Sequence, residues 1–387
     1  MTQKLKERST LFYFNSLFLL LFVCFHLACQ NKQDYVYLTG EGRCANGKQD
    51  PDEFGVDCGG ACPNDCQDVR YLEGEIFGRL SLDTRYDYIL TGPLVVRDQA
   101  SLEFPSGTHL KVQADAGAYI AVAQGGLLFV WGTEDNPVTI SSNSPEPGAG
   151  DWGGIIFCGQ APLEDNSRQL SPLGNFYYGG NNTNDSSGYL RYLKVQHAGA
   201  AYDETLSYSA LNFYGAGRST VVNHLWVDNV LHQGIAITGG NIEMEDVVVT
   251  AAQQNALSLS SNWAGRGNRL YLHDSGVNGL LFQDSFTSPT VTSSFSLSNV
   301  SIYNASNSGI KFMSTAIQAS FDRFILSNLP TAFQFEANFP FQWNDFYLEN
   351  VPVISNDEDF NRQFQALSTP PFSNGDQLPD WVNHWED

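Results

Sequence analysis

The chain has 387 residues, 42 of them acidic and 20 basic, for a formal net charge of −22. That balance excludes nucleic acid as a partner and disfavours direct adhesion to anionic headgroups. Charged residues make up only 16% while aromatics reach 13%, which excludes a disordered acidic polymer and points to a β-rich exported protein.

Lys4, Lys6 and Arg8 precede an apolar stretch, residues 11–28, broken by Asn15 and Ser16. A basic head followed by an apolar run is the layout of a signal peptide, here residues 1–28. The run closes on His26-Leu27-Ala28-Cys29, which resembles the bacterial lipobox, with His26 where that motif prefers Leu. The resemblance implies lipidation at Cys29, which becomes the mature N-terminus, with residues 29–43 as a tether. The protein is then held at the outer membrane or cell surface, its membrane contact made through several acyl groups, since one acyl chain alone anchors weakly. An uncleaved transmembrane anchor is the alternative. The stretch barely reaches spanning length, and its polar breaks count against that reading.

Four of the seven cysteines, Cys44, Cys58, Cys62 and Cys66, fall in one short segment, 44–66. The segment is too short to bury a core, so cross-links must hold it. In an exported chain the four cysteines read as two disulfides, with the connectivity open. Asp50, Asp52, Glu53 and Asp57 stand among Gly47, Gly55, Gly59 and Gly60. Clustered carboxylates on a tight loop are hard ligands suited to calcium; plain surface acidity is the competing reading. Zinc on the thiolates ranks behind, because paired C-x-x-C units are missing. The segment resembles short Cys-rich modules near the N-termini of bacterial surface proteins. Cys158 stands alone in an apolar strand, where a buried inert thiol is expected.

From residue 86 the chain reads as more β coils, with short strands at 94–96, 100–104, 109–112, 119–122 and 125–130 and then the piece 132–140. Three pieces then follow in order: G-T-x-x-x-P-V-T-I-S-S (132–142), G-D-W-G-G-I-I (150–156) and Y-G-G-N-N-x-x-D-x-S-G-x-L-R-Y-L (178–193). Over about residues 86–265 the chain resembles right-handed parallel β-helix lipoproteins of Bacteroidota-type surfaces, within the pectin-lyase-like fold. The resemblance implies a fold and a location more than an activity. That group often carries D-D-G-I-E-F-F-G-G. Here the matching stretch is Leu231-His232-Gln233-Gly234-Ile235-Ala236-Ile237-Thr238-Gly239-Gly240, which keeps the glycines and lacks the carboxylates.

In the second half Leu225-Trp226-Val227 returns as Val247-Val248-Val249, Leu270-Tyr271-Leu272, Val300-Ser301-Ile302, Phe324-Ile325-Leu326 and Phe346-Tyr347-Leu348. The intervals are 22, 23, 30, 24 and 22 residues. A period of this size means stacked units that each bury a face against the next. Two residues past each triplet stands Asn229, Asp274, Asn304, Asn328 or Asn350, with Ala251 as the exception. Asn and Asp accept the left-handed conformation and suit a sharp corner. A small residue and a second strand follow, as in Gly234-Ile235-Ala236-Ile237, and no amphipathic helical period fits between. The predicted fold is all-β: one right-handed parallel β-helix (solenoid) over 72–355, behind the small disulfide-rich N-terminal module. Its coils stack at about 4.8 Å, with corner asparagines laddered. An antiparallel sandwich is the alternative, and the absence of hairpin turns between the strands counts against it. The acidic tail, 356–387, is expected to cap the open end.

Inward-facing Leu225 and its equivalents leave Trp226, Val248, Tyr271, Ser301, Ile325 and Tyr347 as an outward column. This flat, partly aromatic column suits stacking of sugar rings or docking of a partner, unless loops or the tail cover it. Tyr202 and Tyr208 sit in a longer excursion, 199–209, the kind of loop on a rigid scaffold where function concentrates. Trp226, Tyr271, Tyr347, Tyr202 and Tyr208 are therefore the candidate ligand residues. Catalysis on polysaccharides needs clustered carboxylates. The D-D, G-H-G and R-x-K strings of polygalacturonase-like enzymes do not occur. Arg191, Lys194 and Arg218 lie on candidate coils without a carboxylate cluster; His197, His224 and His232 lie within neighbouring coils, where convergence on one site is the alternative to reading them as corner or solvated residues. The expected function is a non-catalytic surface binding or scaffold protein whose partner is a glycan or another surface protein. A polysaccharide lyase or hydrolase is the alternative.

Overall fold

The computed structural model describes residues 69–163, 167–261, 263–283, 294–313, 318–336, 341–372, 378–383 and 385. The signal stretch, Cys29 and the cysteine module with Asp50, Asp52, Glu53, Asp57, Cys44, Cys58, Cys62 and Cys66 lie outside the described residues. From Val69–Ile76 to Val353–Ser355, 23 strands join one continuous ladder in which every named pairing is parallel. The antiparallel pair Gln169–Leu170 with Tyr177–Tyr178 stands apart as a small hairpin. Partners in the ladder lie one coil apart in sequence, which makes the fold a parallel β-helix.

Each coil contributes to three faces. On the first, Leu110, Ile140, Val195, Val227, Val249, Leu272, Ile302 and Leu326 stand in register. Leu225, Val247, Leu270, Val300, Phe324 and Phe346 form the inward row beside them, the column that the sequence repeat predicts, and Leu193 extends it by one coil. On the second face the inward row is Val96, Val122, Phe157, Phe213, Ile237, Leu259, Phe282, Phe312 and Phe335. Like residues stacked at strand spacing let rings lie flat on one another. Phe157–Phe213 centroids are 4.7 Å apart and Phe282–Phe312 4.8 Å. The third face supplies Phe104, Val130, Leu190, Val222 and Met244. All three inward sets merge into one buried core, each large side chain contributing about 1.5–3 kcal/mol of burial.

Two columns of left-handed residues turn the corners. His197, Asn229, Ala251, Asp274, Asn304, Asn328 and Asn350 have φ between 50° and 63° and leave the first face. The expected ladder links form, with Asn304 Nδ2 donating to Asp274 Oδ1 at 3.0 Å and Asn350 Nδ2 to Asn328 Oδ1 at 2.9 Å. The second column, Tyr192, His224, Asp246, Arg269, Asn299, Arg323 and Asp345, turns the chain from the third face to the first. At Gly188 no side chain fits: with φ 131° a Cβ would stand 1.9 Å from the Leu128 carbonyl oxygen.

The chain covers two of its own faces. The 162–180 and 199–209 excursions lay Leu163, Leu173, Phe176, Tyr178 and Tyr208 over Val95, Ala121 and Ile156 of the second face. Gln124 Nε2 clamps this cover, donating to the Gly159 and Gly179 carbonyls at 3.0 and 2.9 Å. Past the last strand, helix α1 (Glu358–Gln363) is N-capped by Asp357, which accepts the Phe360 N–H at 2.8 Å. Its Phe360 packs against Phe333, Phe335 and Trp343 at 5.0–5.2 Å and closes the end of the core. The segment around α2 (Asp380–Asn383) lies along the first face.

Candidate functional site

The outward column of the first face is not open. Trp226 is 5% exposed and Tyr271 3%, because Leu378, Trp381, Val382 and Trp385 of the tail join them, Val248 and Ile325 in one apolar cluster. Trp385 Nε1 donates to the Glu134 carbonyl and Lys194 Nζ to the Trp385 carbonyl, both at 2.8 Å. The Lys194 ammonium also sits 3.9 Å from the Trp226 ring centroid. The sequence offers Trp226 and Tyr271 as ligand-stacking residues unless loops or the tail cover them, and here tail residues do cover them. Tyr347 is half-buried at the margin of the same cluster. Tyr208 is buried on the second face, packed 5.5 Å from both Tyr119 and Tyr202. It is a pillar of the cover, and of the pair only Tyr202 keeps partial exposure.

Beside the tail a cleft of about 530 Å³ is lined by Gln196, Asp228, Thr250, His273, Asp274 and Leu378, among others. Its polar groups satisfy one another. Asp228 accepts from Gln196 Nε2 at 2.9 Å and from Thr250 Oγ1 at 2.6 Å. His273 Nδ1 is 2.9 Å from Asp274 Oδ2. At the adjoining corner Glu245 and Asp246 converge on Arg269, at 2.8 and 2.5 Å. Hydrogen bonding to Asp246 pushes the Arg269 guanidinium further up, so a permanently charged cation faces both acids. His224 stacks 4.2 Å from Tyr192, under Trp381. Burial lowers its pKa against the pull of Asp246. His197 and His232 belong to the corner between the first and second faces, so the three histidines do not converge. Arg218 lies beyond Leu211–Tyr214, at the opposite edge of the second face from His232. Cys158 is buried and free, its thiol pushed up to about 12 by desolvation, as an inert core cysteine requires.

The third face is different. Its outward residues from coil to coil are half or fully exposed, and it carries a ledge of stacked rings. Phe129 and Trp131 lie 5.6 Å apart at 8°, and Trp131 and Tyr189 5.0 Å apart at 27°. Trp131 is 47% exposed. Arg191 pairs in register with Trp131, and its guanidinium lies 5.2 Å from the Tyr192 ring centroid. Below the ledge, Asn223 and Asn268 each donate to Glu245 at 3.3 Å. Asn268 Oδ1 in turn accepts from Ser298 and Asn299 at 3.1 and 2.7 Å. The sequence reading missed this ledge. Its signal is the alternation in Leu127–Trp131, where Leu128 and Val130 point inward and Phe129 and Trp131 therefore point out.

No curated protein matches the chain. Among solved structures, the periplasmic alginate epimerase AlgG is 10% identical with a TM-score of 0.33, over 75% of this chain and 82% of that one. The catalytic unit of a GH87 alpha-1,3-glucanase from Streptomyces thermodiastaticus is 11% identical with a TM-score of 0.31, over 70% and 57%. A family model for the pectate-lyase-like β-helix domain matches residues 74–386, and the chain belongs to that family.

Proposed function

We propose that this chain is an exported, lipid-anchored surface protein that binds glycan on its third face without transforming it. The observation that carries the reading is the solvent-facing Phe129–Trp131–Tyr189 stack on a rigid sheet. Flat ring faces match the C–H faces of pyranose sugars, and a sheet holds them at no ordering cost. The pairing of Glu245 and Asp246 with Arg269, and of Asp228 with Gln196 and Thr250, supports binding over catalysis. The basic head, the apolar stretch and Cys29 support export and anchoring at the outer membrane or cell surface. On the same reading Cys44, Cys58, Cys62 and Cys66 form two disulfides beside a calcium loop of Asp50, Asp52, Glu53 and Asp57.

A glycan array run beside a product assay on polysaccharides tests the reading. Retention of ligand without turnover, lost in Trp131→Ala, is the expected result. Release of shortened or unsaturated sugars, abolished by changing Arg218 or His232, overturns it in favour of a lyase or hydrolase. Cys29→Ser should move the protein from the membrane to the soluble fraction, and unchanged membrane association would contradict the lipid anchor.

A further inference from the structure

The outward row of the third face runs Trp131, Arg191, Asn223, Glu245, Asn268 and Ser298, each in register with the next. Strands of a sheet stand about 4.8 Å apart, close to the length that one pyranose ring occupies in an extended chain. A ring stacked on Trp131 therefore places its successors over the following coils in turn. The acids along this track are held by cations: Arg79 holds Glu103, Arg269 holds Glu245 and Arg323 holds Asp322, while Arg191 beside Trp131 packs over the Tyr192 ring and, among the described residues, not against a carboxylate. The chain as a whole carries −22, so a polyanion approaching the face is repelled while a neutral chain is not.

We propose that the third face binds a neutral, linear, extended polysaccharide laid along the axis of the β-helix, one ring per coil, with its anchor ring on Trp131. The proposal rests on the glycan-binding reading above and names its ligand class. Asn223 and Asn268 are held in place by Glu245 and, after those bonds, each amide retains a second N–H for a sugar hydroxyl. Fixed amides two coils apart read the hydroxyls of every second ring with little loss of side-chain freedom on binding.

The test is calorimetric titration of the full exported chain with cello-, xylo- and manno-oligosaccharides from disaccharide to hexasaccharide. Polygalacturonate serves as the charged control, at low and physiological salt. One neutral series is expected to bind with affinity that climbs with each added ring, insensitive to salt, while polygalacturonate stays unbound. Trp131→Ala should weaken every length by about ten-fold or more. Asn268→Ala should weaken only the longer ones, with thermal melts checking that both variants are folded. Affinity already saturated at the disaccharide overturns the axial track and leaves the ledge standing. Tighter, salt-sensitive binding of polygalacturonate overturns the neutral ligand class. Full-strength binding by folded Trp131→Ala, or silence toward every probe, overturns the ledge and the proposal together.

Discussion

Asn304 and Ala251 occupy equivalent corners two coils apart, both left-handed at φ 56° and 52°. Only Asn is suited to that conformation; Ala bears a strain of about 1–2 kcal/mol there. The Asn304 bonds to Asp274 and His273 are exposed, so the backbone preference outweighs them. Asn304→Ala should therefore cost about 1 kcal/mol and Asn304→Gly clearly less, because glycine keeps the conformation while losing the bonds. Urea unfolding of the two variants separates the terms, and equal losses would assign the corner to its hydrogen bonds. The corner asparagines were legible because their side-chain chemistry matches the backbone demand. The second left-handed column was not, since Asp246, Asn299 and Asp345 alternate there with Tyr192, Arg269 and Arg323, which carry no such preference and are held by the register of the strands on either side. Burial lowers the pKa of His197, His224 and His232. A histidine depressed in the folded state contributes stability above its unfolded value near 6.5, lost as pH falls through the folded value. Melting temperature should thus drop as pH is lowered from about 6.5. A flat profile there, or one that rises, would contradict the burial of these rings.

At the scale of elements, the tail and the two excursions decide which face is available. Trp385 reaches across the sequence to Lys194 and Glu134, and Trp381 to His224. Trp385→Ala should lower stability by about 2–3 kcal/mol, the burial of one large side chain. It should also raise the access of acrylamide to Trp226, read by fluorescence quenching. Unchanged quenching would mean that the tail does not seal the first face. Sequence periodicity could not show this cover, because the tail repeats nothing and its landing site is set by complementarity to residues distant in the chain. The same holds for the ledge. Phe129 and Trp131 were readable as outward residues of one strand, but Tyr189 reaches them only because the long excursion before Gly188 returns to the ladder beside Leu128.

At the scale of the whole molecule, the stacked phenylalanines of the second face bind coil to coil. Phe312 touches Phe282 and Phe335 at 4.8 and 5.2 Å, so Phe312→Ala should cost about 3–5 kcal/mol. Denaturant unfolding with a loss under 1 kcal/mol would argue against a continuous core. The period of 22 to 24 residues predicted this core, since every coil must present the same inward pattern to its neighbour. It could not predict that two faces are covered and one is open, because covers are departures from the repeat. Hydroxyl-radical footprinting of the folded chain, with and without a bound glycan, tests that division directly. Trp131 and Tyr189 should be modified in the free protein and protected by ligand, while Trp226 and Tyr271 stay unmodified in both. Ready modification of Trp226 and Tyr271 that ligand suppresses, with Trp131 indifferent to it, would contradict the account.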